Sequence, residues 1–304
     1  VTLGPTGCRA GHGVPIRYNS VGYLASGPKL ATVAVKHCGD AWELHRVADA
    51  ATIADGVTRP MKGTEGGTLD DVCLVDFSSV SEPGVYRLAV SGVGATEPFA
   101  VDDGALSPVF RMAMAGFYIA RCGGEAEELP EGIGLVTTSK ASGRAFAHAA
   151  CHLHDGYVDE KHTQEPGPER FRDGTGGWHD AGDYGKYTVN TAFAVAVLLQ
   201  AWEHFPGALA CLSVGASAPA GGLPYFLAEV RWGVDWLLKM QEPNGRAFHK
   251  LSAENFAGVR TAPEGDLSRR YYAPWSTAAT AALAAAAAQA ARAFRPHDPQ
   301  YADA

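Results

Sequence analysis

Gly174-Thr175-Gly176-Gly177-Trp178-His179-Asp180-Ala181-Gly182-Asp183-Tyr184-Gly185-Lys186-Tyr187 sets two carboxylates, Asp180 and Asp183, three positions apart in a glycine-rich run. Gly174, Gly176, Gly177 and Gly182 admit backbone conformations barred to other residues, so this run can bend sharply and bring main chain close to a ligand. Trp178, Tyr184 and Tyr187 offer flat faces against which a sugar ring can stack. Directly behind, Thr188 to Phe205 is apolar and reads as a buried helix. A carboxylate pair on a turn ahead of a helix supplies what acid–base chemistry on a neutral substrate needs. An Asp-Gly turn is more often merely solvated; the flanking aromatics and the apolar helix argue for a site.

Eight residues of this run, Gly176 to Asp183, resemble the signature of glycoside hydrolase family 9, the cellulase-type inverting enzymes. The family pattern is close to Gly-Gly-Trp-(Tyr/His)-Asp-Ala-Gly-Asp, and the match continues through Tyr184, Gly185, Lys186 and Tyr187. The resemblance implies hydrolysis of β-1,4-glucosidic bonds in cellulose or a related β-glucan, with Asp183 as general base and Asp180 holding the same water. It puts the general acid on a glutamate beyond residue 304, since no glutamate here occupies that motif; this polypeptide alone is then expected to be nearly inactive. Two anionic groups so close cannot both be buried cheaply, so one pKa should rise or solvent must reach them.

The formal charge of −8 and the lack of a basic patch with interleaved aromatics disfavour nucleic acid. A neutral polysaccharide is indifferent to that charge. No uninterrupted apolar run is long enough for a membrane span; Ala281 to Ala291 is too short and too rich in alanine. Val1 is preceded by neither methionine nor signal peptide, so the start is expected to be processed or cut. A monomer is expected. A polymeric substrate favours an extracellular location, with the cytoplasm open for a relative acting on imported oligosaccharides. Six cysteines (Cys8, Cys38, Cys73, Cys122, Cys151 and Cys211) are too sparse for a disulfide scaffold and leave the redox compartment open.

From Pro15 to Val101 short strands alternate with turn signals: Ala31, Val33 and Val35; Cys73, Val75 and Phe77; Tyr86, Leu88 and Val90. Turn-rich stretches such as Lys62 to Gly67 separate them. This pattern suggests a β-sandwich over 14–102. Asn19 to Leu24 resembles the opening strand of the immunoglobulin-like module that precedes many family 9 catalytic domains, where it is expected to brace its neighbour. After a short linker, Ser107-Pro108 is a helix start and the period changes to about 3.6. Helices are expected over Val109 to Arg121, Thr188 to Phe205, Pro224 to Gln241 and Ser276 to Phe294. Phe226, Val230, Val234, Leu237 and Leu238 form one apolar stripe of the third. No phosphate loop or βαβ alternation appears, so 107–304 reads as all-α with long loops. By resemblance it is part of an (α/α)6 barrel. Arg292 to Tyr301 resembles a stretch that lies in mid-domain in the family, so the chain is expected to be a truncated piece.

Cys122, Cys151, His152 and His179 lack close Cys-x-x-Cys spacing, yet two thiolates and two imidazoles make a full tetrahedral zinc set. Some bacterial members of the family carry a structural zinc, and these four positions match its ligands. A Cys122–Cys151 disulfide, or free cysteines beside surface histidines, are the competing readings. Calcium is possible but cannot be placed. Trp232 and Trp236, four residues apart on a helix, read as core. Two further functions compete: an exo-acting β-glucosidase or glucosaminidase of the same family, and a non-catalytic carbohydrate-binding protein. Retention of both aspartates disfavours the binder.

Overall fold

The computed structural model describes residues 16–35, 37–61, 72–126, 147–212, 222–258 and 261–304. Cys8 and the turn-rich stretch 62–67 lie outside them. The chain divides into two compact units, Val1–Phe110 and Arg111–Ala304.

In the first unit, β1 (Ile16–Arg17), β2 (Leu30–Val33), β5 (Arg59–Pro60) and β6 (Cys73–Asp76) form a sheet ordered β1-β2-β6-β5. A second sheet runs β4-β3-β7-β8, from β3 (Ala41–Arg46), β4 (Thr52–Val57), β7 (Gly84–Val90) and β8 (Gly94–Ala95); β9 (Phe99–Val101) pairs β7. All these pairings are antiparallel. Side chains alternate across each pleat, so Ala31, Val33, Cys73, Val75 and Phe77 of one sheet meet Trp42, Leu44, Tyr86, Leu88 and Val90 of the other in one core. Asn19 to Leu24 is not the opening strand: Gly22 N donates to Asn19 O, closing a turn, and only Tyr23 bridges to Val101. The turn is held from inside, where the Tyr23 ring meets Phe77 and Phe99 edge-on at 5.1 and 5.4 Å. A disulfide joins Cys38 to Cys73 across 35 residues of chain, a bridge the sequence did not single out.

In the second unit the main helices are α1 (Ser107–Ile119, which crosses the division between units), α3 (Thr188–His204), α5 (Tyr225–Lys239) and α6 (Thr277–Phe294). Three short ones are α2 (Glu160–Thr163), α4 (Pro206–Ala210) and α7 (Pro299–Asp303). The Ser276 hydroxyl caps α6, accepting from Ala279 N at 3.1 Å. Buried Ala279, Ala286, Ala290 and Ala293 let α6 lie close to α3. On α5 the buried stripe holds Phe226, Val230, Val234 and Leu237 as expected, but Leu238 is exposed and Trp236 takes the inner position.

The unit is not all-helical. Its loops pair into a sheet ordered β11-β10-β14-β13-β12: β10 (Tyr157–Val158), β11 (Arg170–Phe171), β12 (Lys186–Tyr187), β13 (Lys250–Ala253) and β14 (Arg270–Tyr272). Strands of two to four residues are too short to display a period of two, so nothing in the pattern announced them.

Candidate active site and metal centre

The acidic loop is fastened to α1 and α5 before it reaches its carboxylates. Cys122 N donates to Gly177 O at 2.8 Å and His179 N to Ala120 O at 2.7 Å, a two-bond ladder to the end of α1. Against α5, two tryptophan–glycine contacts interlock. A Cβ on Gly177 would stand 2.6 Å from the Trp236 ring, and one on Gly233 would stand 2.3 Å from the Trp178 ring. Only glycine leaves room for either indole, and Gly177, at φ 74°, also needs its freedom for the bend. Trp178 is therefore core, not a sugar platform: its ring meets Phe117 edge-on at 5.0 Å. Its Nε1 donates to fully buried Glu229 at 2.9 Å, and the same carboxylate takes a two-point contact from Arg121. Trp236 is buried as expected, whereas Trp232 is half-buried and donates to Gly177 O at 2.8 Å.

Beyond His179 the chain turns back. Asp180 N donates to Gly185 O at 2.9 Å and Tyr184 N to Ala181 O at 3.1 Å, closing a tight loop with Tyr184 at φ 54°. Asp180 is exposed, and its Oδ1 accepts from Asn190 Nδ2 of α3 at 2.9 Å. Asp183 is half-buried. Its Oδ1 accepts from Gly185 N at 3.2 Å and its Oδ2 from the Tyr187 hydroxyl at 3.0 Å. Tyr187 thus holds a carboxylate rather than offering only a flat face. Burial, then the Asp183 hydrogen bond and the charges of Asp183 and Asp180, push the Tyr187 hydroxyl up to about 12. It therefore remains a donor throughout the neutral range. Tyr184 sets its ring against His179 at 5.0 Å and donates its hydroxyl to Thr261 O.

Cys122, Cys151, His152 and His179 converge, with one potential ligand atom from each within 4.8 Å of all the others. His179 Nε2 lies 3.3 Å from His152 Nδ1 and 3.9 Å from Cys151 Sγ. Both cysteines are free and buried, which overturns the Cys122–Cys151 disulfide reading. Of the neighbouring histidines, His148 is engaged by the carbonyls of Ala149 and Ile119, and His154 stacks on Phe171. Burial opposes ionisation of Cys122, but hydrogen bonding from Cys151 and the Lys186 charge outweigh it and hold its thiol well below the usual range. The Cys151 thiol is pushed up by that hydrogen bond to Cys122 and by burial. Burial pulls His179 down, towards the neutral form a metal requires.

The residues fit a zinc ion. The donor set is Cys2His2. His152 takes φ 48° to aim its ring, and its outer nitrogen, Nε2, is buried without a hydrogen bond, 3.6 Å from an equally unsatisfied Asp266 Oδ2. An imidazole backed by a carboxylate is the usual outer support of a metal-bound histidine.

Sequence reasoning missed the polar groups beneath the loop. Asp155, Lys186 and Arg270 are fully buried, and both cations pair with the Asp155 carboxylate. Lys186 stood in plain view inside the matched run. Asp155 and Arg270 carry no signal in the sequence, because only the fold brings them together.

Residues 107–304 match the family described as Glycosyl hydrolase family 9, and residues 12–95 match the Cellulase N-terminal ig-like domain. Endoglucanase D of Acetivibrio thermocellus is 38% identical over 293 residues, 95% of this chain and 43% of the relative. Among solved structures, a single-mutant thermostable endoglucanase from Alicyclobacillus acidocaldarius superposes with a TM-score of 0.79 at 35% identity, covering 96% of this chain and 50% of that one. A zinc-binding triple mutant of a family 9 endoglucanase gives 0.77 at 30% identity, covering 92% and 50%. The chain thus spans about half the length of these relatives, or somewhat less.

Proposed function

Because this chain belongs to glycosyl hydrolase family 9, we propose that it supplies the water-activating side of an inverting hydrolase of β-1,4-glucosidic bonds in cellulose or a related β-glucan. Asp183 is the general base and Asp180 holds the same water. One observation carries this reading: the Asp183 carboxylate is oriented by two donors, Gly185 N–H and the Tyr187 hydroxyl, while no cation among the described residues pairs with it. Each oxygen keeps a lone pair for a water molecule. Exposed Asp180, held by Asn190, stands close enough for its charge to help keep the Tyr187 hydroxyl protonated. Solvent access answers the problem of two neighbouring anions.

In the inverting reaction the base takes a proton from water as that water attacks the anomeric carbon. An acid roughly 6.5–9.5 Å away protonates the leaving oxygen. We place that acid, a glutamate, in the part of the relatives' length that this chain does not span, together with the remaining helices of an (α/α)6 barrel. Cys122, Cys151, His152 and His179 would hold a closed structural zinc, which joins the end of α1 to the loop without touching substrate. The Cys38–Cys73 disulfide favours an oxidising, extracellular location.

The test uses the full-length enzyme on a soluble cellulose derivative. Asp183→Asn should lower kcat by roughly 10²–10⁴-fold with KM little changed. NMR of the wild-type reaction should show the α-anomer appearing first. Undiminished hydrolysis by Asp183→Asn removes the assignment.

A further inference from the structure

We propose that Lys186 and Arg270 are positioning residues for the carboxylate base: two buried cations that share the carboxylate of Asp155 grip the acidic loop at both ends and set where Asp183 stands. The inference rests on the assignment of Asp183 as base.

The Lys186 side chain is fully buried and its three N–H groups all have oxygen partners. Nζ donates to Gly174 O at 2.6 Å and Gly176 O at 2.8 Å, and pairs with Asp155 Oδ2 at 2.9 Å. Arg270, 1% exposed, forks onto the same carboxylate: Nε donates to Asp155 Oδ1 at 2.9 Å and Nη2 to Oδ2. Its Nη2 also reaches Cys122 Sγ at 3.0 Å, and its Nη1 donates to Tyr184 O. One cation therefore holds the entry of the loop and the other holds its return.

The grip on Tyr184 O bears directly on the base. That carbonyl belongs to the planar peptide unit whose other side is the Gly185 N–H, the donor to Asp183 Oδ1. Fixing the carbonyl fixes the direction of the N–H. Lys186 itself lies between Gly185 and Tyr187, the two residues that hold the Asp183 oxygens. Tyr184, at φ 54°, sits where a non-glycine residue needs outside support. Buried ion pairs seldom add net stability over packed apolar groups, so packing alone gives no reason for two buried cations here.

The test uses the full-length enzyme, with kcat expressed per folded, metal-loaded molecule. Arg270→Lys keeps the charge beside Asp155, but one ammonium cannot reach Asp155, Tyr184 O and Cys122 together. Lys186→Met removes the other grip. A base displaced by about 1 Å loses on the order of 10²-fold in rate, so kcat should fall by about that factor with KM within threefold. In the Asp183→Asn background the same changes should cost less than threefold more, because the base they position is gone. A merely structural role would lower both backgrounds alike. A folded Arg270→Lys with kcat within threefold of wild type, or losses that multiply with those of Asp183→Asn, overturns the proposal. Should Lys186→Met not fold, Arg270→Lys decides. Asp183→Asn alone reports separately on the base assignment, and full activity there overturns both.

Discussion

Gly233 and Gly116 both lie in helices, and their surroundings predict opposite outcomes for one added methyl group. At Gly233 a Cβ would come within 2.3 Å of the Trp178 ring, and that ring cannot retreat because Glu229 holds its Nε1. At Gly116, in α1, nothing among the described residues lies within 4 Å. Replacing a helical glycine by alanine gains up to about 1 kcal/mol, whereas overpacking costs roughly 1–3 kcal/mol. Gly116→Ala should therefore leave the melting temperature unchanged or raise it. Gly233→Ala should lower it by several degrees, at about 2–4 °C per kcal/mol, and, on the proposed function, should slow hydrolysis by the full-length enzyme because Trp178 leads into the acidic turn. Thermal melts of the two variants side by side check this, and equal shifts would contradict the packing argument. Asp180 and Asp183 stand out in the sequence as a candidate site because a short turn can place them without help from distant residues. The role of Tyr187 was hidden, since the sequence gives no direction for a hydroxyl.

At the scale of elements, the candidate metal ligands come from three segments: the end of α1 at Cys122, the stretch at Cys151 and His152, and the acidic loop at His179. Purified protein should carry close to one zinc per chain. Stripping it with a chelator should make two further thiols reactive. It should also lower the melting temperature by roughly 5–15 °C, the effect of losing a ligand held at 100–1,000 times its Kd. Full thermal stability after metal removal, or Cys122 and Cys151 thiols that react at once in untreated protein alongside exposed Cys211, would remove the zinc reading. Helices were the most legible elements: α3, α5 and α6 begin and end within two residues of their sequence-derived limits, because long apolar periods mark them. The five short strands were not legible, being set by pairing with distant partners instead of by local alternation.

At the scale of the whole molecule, the sequence suggests a boundary near Ser107, where the hydrophobic period changes, and the chain divides into compact units between Phe110 and Arg111. The Cys38–Cys73 bridge was not legible, because six scattered cysteines fix no pairing. A cross-link closing a loop of this length is worth roughly 2–4 kcal/mol. A Cys38→Ser/Cys73→Ser variant should unfold its sandwich at lower denaturant concentration, while zinc content stays unchanged. If metal were lost together with the bridge, the two cysteine pairs would not be independent. Their chemistry pulls in opposite directions during maturation. An oxidant able to staple the sandwich can also couple the thiols of Cys122 and Cys151, which stay open and free in the finished fold. The second pair survives only where a thiophilic ion reaches it first. Recombinant yield from an exporting host should therefore follow the zinc supplied in the growth medium, and a reducing cytosol should give loaded but unstapled molecules.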